Sequence, residues 1–417
     1  MIKSSGKAAQ ASMSLFLLLG LLLLGFLLGE MYVRISNHEH ILSPGERREQ
    51  SLQMEPALFS RYMVKRGEKT VQGPNRIRWT INDRGYRGKG FTADKPDDKI
   101  RVMVYGGTAA FDGANIEGED WPHRVENLLR QAGLPQVEVI NAGLPDHASF
   151  DALGRFFAEG HFYRPDVVLL YSGWEDLPYL WSSEPLLRQV RPYQPYKDPR
   201  IQYAGVFDRF FGSFSQLYLL LRDWYYVGRE DGFTSPRPFT DQPSDRIAPS
   251  ALRQFRLDVE LFVDLARNID AIPVLVLQSR LAHPDNKAED VRKLPLKALR
   301  LEHPALCQVL DQLDAVVREI ALKKNVRLID SSSRFNGRSE FFADAIQLNP
   351  AGSKALAYEV APVLTEVIKT SLSSAPKLTP ALAPAKAPAA AAPAPAKAPT
   401  PADDIEDEPD PPTSQEP

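Results

Sequence analysis

Five short apolar runs, residues 100–105, 137–140, 166–171, 272–278 and 326–329, alternate with longer stretches of helical spacing at 122–131, 150–162, 250–268, 305–323 and 349–369. The runs are apolar throughout and not at every second residue, as strands covered on both faces require. Pro122 directly after Trp121 suits a helix start, and Asn349 before Pro350 suits an N-cap with proline at the first helical position. Doubly covered strands joined by right-handed helical crossovers specify an α/β domain of three layers, αβα, around a five-stranded parallel sheet. In such sheets ligands meet the loops at the carboxyl ends of the strands.

The two ends of the chain are different material. Lys3 and Lys7 precede 22 uncharged residues, 8–29, with a Leu-rich core over 15–28. About 20 apolar residues cross a bilayer as a helix. Residues 1–30 are therefore expected to be a transmembrane signal anchor, a single span with its N-terminus cytoplasmic and the bulk of the chain translocated. A cleaved signal peptide shares the basic start and the apolar run, but Gly29-Glu30-Met31 lacks a small-x-small cleavage pattern. At the other end, residues 376–417 hold 12 of the 35 prolines, with 3 lysines and 7 acids. Residues 371–417 are accordingly expected to form a disordered, Ala/Pro-rich acidic tail. The whole chain carries −3, and the tail's −4 leaves the remainder near +1, which gives no footprint for nucleic acid. The lone Cys307 excludes an internal disulfide, and its place in a helical pattern predicts a packed thiol.

Two segments stand outside the alternation. Residues 31–98 are polar and irregular, with the turn sequence Asn82-Asp83-Arg84-Gly85-Tyr86-Arg87-Gly88, and are expected to wrap the sheet edge. The main domain then covers 99–370, interrupted by an insertion at about 177–249. Between Trp174 and Tyr226 lie 14 of the 39 aromatic residues, and Phe210, Phe211, Phe214, Leu217, Tyr218 and Leu221 recur at helical spacing. A helical aromatic cap packed on the core is the expectation, with a substrate-facing or membrane-facing cap as the alternative.

The loops after the strands carry the chemistry. The first strand runs into Gly106-Gly107-Thr108, the second into Asn141-Ala142-Gly143, and the third into Gly173-Trp174-Glu175-Asp176. After the fifth comes Asp344-Ala345-Ile346-Gln347-Leu348-Asn349-Pro350-Ala351-Gly352. In order and spacing these four blocks resemble the SGNH/GDSL hydrolase superfamily over roughly residues 101–368. Gly-Gly-Thr, the later Trp-Pro, Gly-Trp-Glu-Asp and the 82–88 turn look like its membrane-anchored branch in bacterial polysaccharide and cell-envelope settings. The resemblance implies a flavodoxin-like fold and no cofactor. It implies a serine nucleophile at the place of Thr108 and a histidine base at that of Gln347, oriented by the aspartate at Asp344. Oxyanion donors would come from Gly143 and from an asparagine where Glu175 stands.

Three of those five positions carry a different residue type. Acyl transfer by a hydroxyl needs a proton acceptor with a pKa near the working pH, and the neutral amide of Gln347 is none. Glu175 replaces an oxyanion donor with a carboxylate, where loss of one donor alone costs roughly 3–4 kcal/mol. Thr108 keeps a hydroxyl but crowds it with a methyl group. Asp344 is left as a carboxylate near the start of the last helix. Substitute bases would be His147, His123 or Glu175 itself. The seven histidines show no ligand-pair spacing, so no metal is expected. The expectation is a membrane-anchored protein of the cell envelope, extracytoplasmic and catalytically degraded, that binds or assembles a glycan or acylated polymer. The alternative is an active ester hydrolase or O-acyltransferase on envelope carbohydrate, using Thr108 with a non-standard base.

Overall fold

The computed structural model describes residues 3–36, 41–44, 46, 52–67, 69–72, 77–190, 205–227 and 246–372. The expected tail lies outside these residues from 373 onward. Five parallel strands form the central sheet: β1 (Ile100–Gly106), β2 (Val137–Asn141), β3 (Val167–Ser172), β4 (Ile272–Leu277) and β5 (Arg327–Ile329). Their spatial order is β2-β1-β3-β4-β5, with Val104 opposite Asn141 on one side and Leu169 on the other. β3 is buried along its whole length, which explains its unbroken apolar sequence.

Helices cover both faces. α1 (Lys3–Ser36) precedes the domain, and α2 (Trp121–Gln131) and α8 (Pro350–Val367) pack together on one face of the sheet. α3 (Ser149–Glu159), α6 (Pro249–Asn268) and α7 (His303–Lys323) cover the other. Pro122 stands in the first turn of α2, and the Asn349 side chain accepts from the Ala351 and Gly352 amides at 3.0 Å each, capping α8. Cys307 is buried in α7 as a free thiol, and burial pushes its pKa up to about 11.

Within 31–98, Arg87 bridges both Ile81 and Asn141, so the chain runs against β2, the edge strand. The aromatic stretch departs from the expected core cap. It forms two short helices, α4 (Val206–Phe211) and α5 (Gln216–Val227), and Phe207, Phe210, Phe214 and Leu221 remain exposed. Periodicity located an apolar face correctly, but that face turns away from the domain core. Residues 191–204 and 228–245 of the insertion lie outside the described residues.

α1 is exposed along its apolar length. Residues Met13–Ser36 within it are long and apolar enough to cross a membrane, and their leucine-rich part is exposed, Val33 near the end being buried.

Candidate functional site

The sheet order reverses between β1 and β3: the chain leaves β1 toward β2 on one side and returns to β3 on the other. Ligands in this architecture bind in the crevice beyond the strand ends at such a reversal. Thr108 follows β1 and Glu175 follows β3, so this crevice is where the two loops meet. Gly106 makes the turn out of β1 at φ +151°, and a Cβ there would sit 2.0 Å from the Tyr171 carbonyl oxygen. Only glycine fits so close to β3. At Gly107 a Cβ would lie 2.4 Å from the carboxyl carbon of Glu175, so the second glycine makes room for that side chain.

Glu175 sits in a short 3₁₀ turn, Trp174–Tyr179, and is buried. Its Oε1 accepts the backbone N–H of Thr108 at 2.7 Å, while Oε2 has no hydrogen-bond partner among the described residues. Burial raises the Glu175 carboxyl to about 7, against the pull of the Thr108 amide and hydroxyl. The Thr108 hydroxyl oxygen accepts from the Asp146 N–H at 2.9 Å. Asp146 holds the left-handed conformation, φ +61°, to present that amide.

The remaining sequence-derived positions are engaged within their own loops. The Gly143 N–H donates to Asn141 Oδ1 at 3.0 Å. Asp344 Oδ1 accepts from the Ile346 and Gln347 amides at 2.9 and 2.7 Å, and its Oδ2 accepts from Gln347 Nε2 at 2.6 Å. Asp344 therefore organises its own turn; Asn349, not Asp344, serves the start of α8. The acid still holds the residue at the base position, yet among the described residues no hydrogen bond joins Gln347 to Thr108.

Neither candidate histidine reaches the hydroxyl by a hydrogen bond. His147 is buried, its Nε2 donates to the Tyr62 carbonyl at 2.9 Å, and burial lowers its pKa to about 4. His123 Nδ1 pairs with Asp120 at 2.7 Å. Burial would lower its pKa, but Asp120 outweighs that and raises it. Of the three proposed bases, the structure brings only Glu175 against Thr108.

One contributor gave little signal in sequence. Arg87, from the 82–88 turn, is buried and donates to the carbonyls of Phe111, Asp112 and Asn115 at 2.6, 2.7 and 2.7 Å. It lies 3.6 Å from Asp120, whose carboxyl, though raised by burial, is drawn down to about 2 by Arg87 and His123. Asp112 is tied to the Trp121 amide at 2.9 Å and to the Ser353 hydroxyl at 2.7 Å. The segment ahead of the domain thus clamps the loop that carries Thr108 to α2 and α8.

Beside the Trp174–Tyr179 turn lies a cavity of about 250 Å³. Phe150 and Tyr179 supply aromatic walls, and Asp176, Gln254 and Asp258 supply polar ones. Gln189 Oε1 is buried there without a hydrogen-bond partner among the described residues. Burial raises Asp176 to about 7 and Asp258 to about 6.

No family model matches the sequence, and no curated protein matches it. Among solved structures, an acetyl xylan esterase is similar at 13% identity and a TM-score of 0.39, over 64% of this chain and 100% of that one. A lipase/acylhydrolase from Enterococcus faecalis is similar at 15% identity and a TM-score of 0.38, over 64% and 96%. A lipolytic protein of the G-D-S-L family from Desulfitobacterium hafniense is similar at 14% identity and a TM-score of 0.35, over 64% and 99%. By its sheet order and the placement of its four loops, the chain has an SGNH/GDSL-hydrolase-like αβα fold, an architecture that by itself fixes no activity.

Proposed function

We propose that this chain is a membrane-anchored binding or assembly component of the cell envelope, with its domain on the extracytoplasmic side and its hydrolase-type centre closed to acyl transfer. One observation carries the reading: the Glu175 carboxylate accepts the Thr108 amide at 2.7 Å. A tetrahedral intermediate needs donors aimed at its oxyanion. Here the Thr108 amide is taken by a carboxylate, the Gly143 amide by Asn141, and the side-chain amide of Gln347 by Asp344. A carboxylate beside developing negative charge repels it, and Gln347 cannot take the proton of the hydroxyl. The apolar helix with Lys3 and Lys7 ahead of it supports the anchor and its orientation. The cavity with Phe150 and Tyr179 opposite carboxylates and amides suits a sugar unit of a glycan or acylated polymer: rings stack on one face while hydroxyls find acceptors.

The test is turnover of an acyl-ester panel by the full chain and by a triple variant, Thr108→Ser, Glu175→Asn and Gln347→His. Activity only in the triple variant is the expected result. A wild-type rate abolished by Thr108→Ala would overturn the reading. Oligosaccharide titration should show binding that weakens with Tyr179→Ala.

A second reading has its own support, because Glu175 at about 7 lies in the range of a general base and touches Thr108. In that case the carboxylate would take the hydroxyl proton as Thr108 attacks an ester carbonyl. Glu175→Gln would then abolish a measurable wild-type rate.

A further inference from the structure

The helix pair α4 and α5, which carries the exposed aromatic face, sits directly on the end of the apolar helix α1. The Phe211 ring packs edge-on against Phe26 with centroids 6.0 Å apart. Leu217 lies over Gly29, where an added Cβ would come within 2.8 Å of its side chain. Leu219 is buried with Val33 and Ile41. Glu30 accepts from the Ser215 hydroxyl and the Gln216 and Leu217 amides at 2.8, 2.9 and 2.9 Å, and Arg34 donates to the Phe214 carbonyl at 2.6 Å. These contacts fix the height of the helix pair along α1.

That height decides what covers the aromatic face. A hydrocarbon core of about 30 Å takes about 20 helical residues, and the uncharged run 8–29 is barely longer, so its far edge falls near Gly29. Phe26 is three residues inside that edge, or roughly 4–5 Å at 1.5 Å per residue. Phe211, packed edge-on against it, lies at the same level. On α5, Leu217, Leu220, Leu221, Trp224 and Tyr225 follow helical spacing along one face, with Trp224 76% exposed. Phe207 and Phe210 of α4 are 75% and 61% exposed. Two of the pair's charged residues neutralise each other: Arg222 and Asp208 form a buried ion pair at 2.7 Å, to which the Tyr218 hydroxyl adds a bond at 2.8 Å, while Arg209 stays exposed.

We infer that α4 and α5 form an interfacial element immersed in the same leaflet that α1 leaves, with the exposed face around Phe207, Phe210, Leu221 and Trp224 seated at the headgroup–acyl boundary of the lipid bilayer. Aromatic residues at that depth and an amphipathic helix lying in the interface plane are what this boundary favours. An apolar face of this size left in water would be a liability, and its continuity with the lipid-facing surface of α1 identifies lipid as the occupant. The inference rests on α1 being a membrane span, as proposed above.

The experiment reconstitutes the purified full chain into phosphatidylcholine vesicles that carry a diazirine-bearing phospholipid, photolyses them and maps the adducts by mass spectrometry. Adducts are expected within 13–28 and within 205–227, and none within 303–323. They should be lost from 205–227, but not from 13–28, in the Phe210→Ser, Trp224→Ser double variant. Adducts in 13–28 with none in 205–227 of the wild-type chain would overturn the inference and leave the anchor standing. That is also the result expected if a protein partner or a second copy covers the face. No adducts in either segment would overturn the anchor reading itself.

Discussion

Replacing Glu175 by glutamine should flatten part of the protein's stability profile against pH. Glutamine keeps an oxygen for the Thr108 amide and removes the charge, so it imitates the protonated acid. The carboxyl is raised from an ordinary 4.5 to about 7, chiefly by burial. The folded chain therefore holds this proton where the unfolded chain has lost it. The corresponding stability is complete below about pH 4.5 and is lost as pH rises through about 7. The full difference corresponds to about 3 kcal/mol at alkaline pH, with a slope of at most about 1.4 kcal/mol per pH unit between the two values. Asp112, Asp176 and Asp258 are raised in the same sense, so the wild-type profile falls for several reasons at once. Subtracting the variant's profile isolates Glu175. Urea unfolding of the full chain in detergent, followed by tryptophan emission from about pH 5 to pH 9, measures both. The variant should match wild type below about pH 4.5, exceed it by a margin that grows up to about pH 7, and keep that margin unchanged at higher pH. Parallel curves would refute the reasoning, because they would mean that Glu175 is ionised in the fold at no cost.

Further outcomes follow from the same packing. Arg87→Met should destabilise the domain by about 3–5 kcal/mol, since it strips the Phe111, Asp112 and Asn115 carbonyls of a donor and leaves the buried Asp120 with His123 as its one remaining positive partner among the described residues; a lowered urea midpoint would show it. Asn349→Ala removes the cap of α8 and should cost about 1 kcal/mol, read from the same transition. Cys307, with its thiol raised to about 11 and buried, should react with iodoacetamide at neutral pH far more slowly in the folded chain than in urea.

The strands and helices were legible because each run's length and continuity reflect burial on both sides. The ends of β1, β3 and β4 fall within a residue or so of the apolar runs, and Asn349 and Pro350 mark the start of α8 as caps do. The four loops were legible by their order. Where a side chain would point was not. Glu175 reads in sequence as a hostile substitution, and only the approach of β1 and β3 shows it closing on the Thr108 amide. Arg87 reads as one basic residue in a turn, because its carbonyl partners lie 24 to 29 residues further along the chain. The aromatic stretch failed differently. Spacing reveals that a helix has an apolar face, but a protein core and a lipid leaflet select the same residues for it.

The junction between α1 and α5 has a consequence for how the chain is made. The donors at the start of α5 find their acceptor on Glu30, 185 to 187 residues earlier, in a helix that leaves the ribosome long before them. Until Glu30 is in place those amides have no such partner, and α5 is too short to be stable alone in water. The earlier helix therefore serves as the template on which a late element orders itself, and α5 should acquire its structure only after α1 has formed. Proteolytic removal of α1 after synthesis would return that element to the nascent condition, with its amides uncapped and Leu219 stripped of its cover.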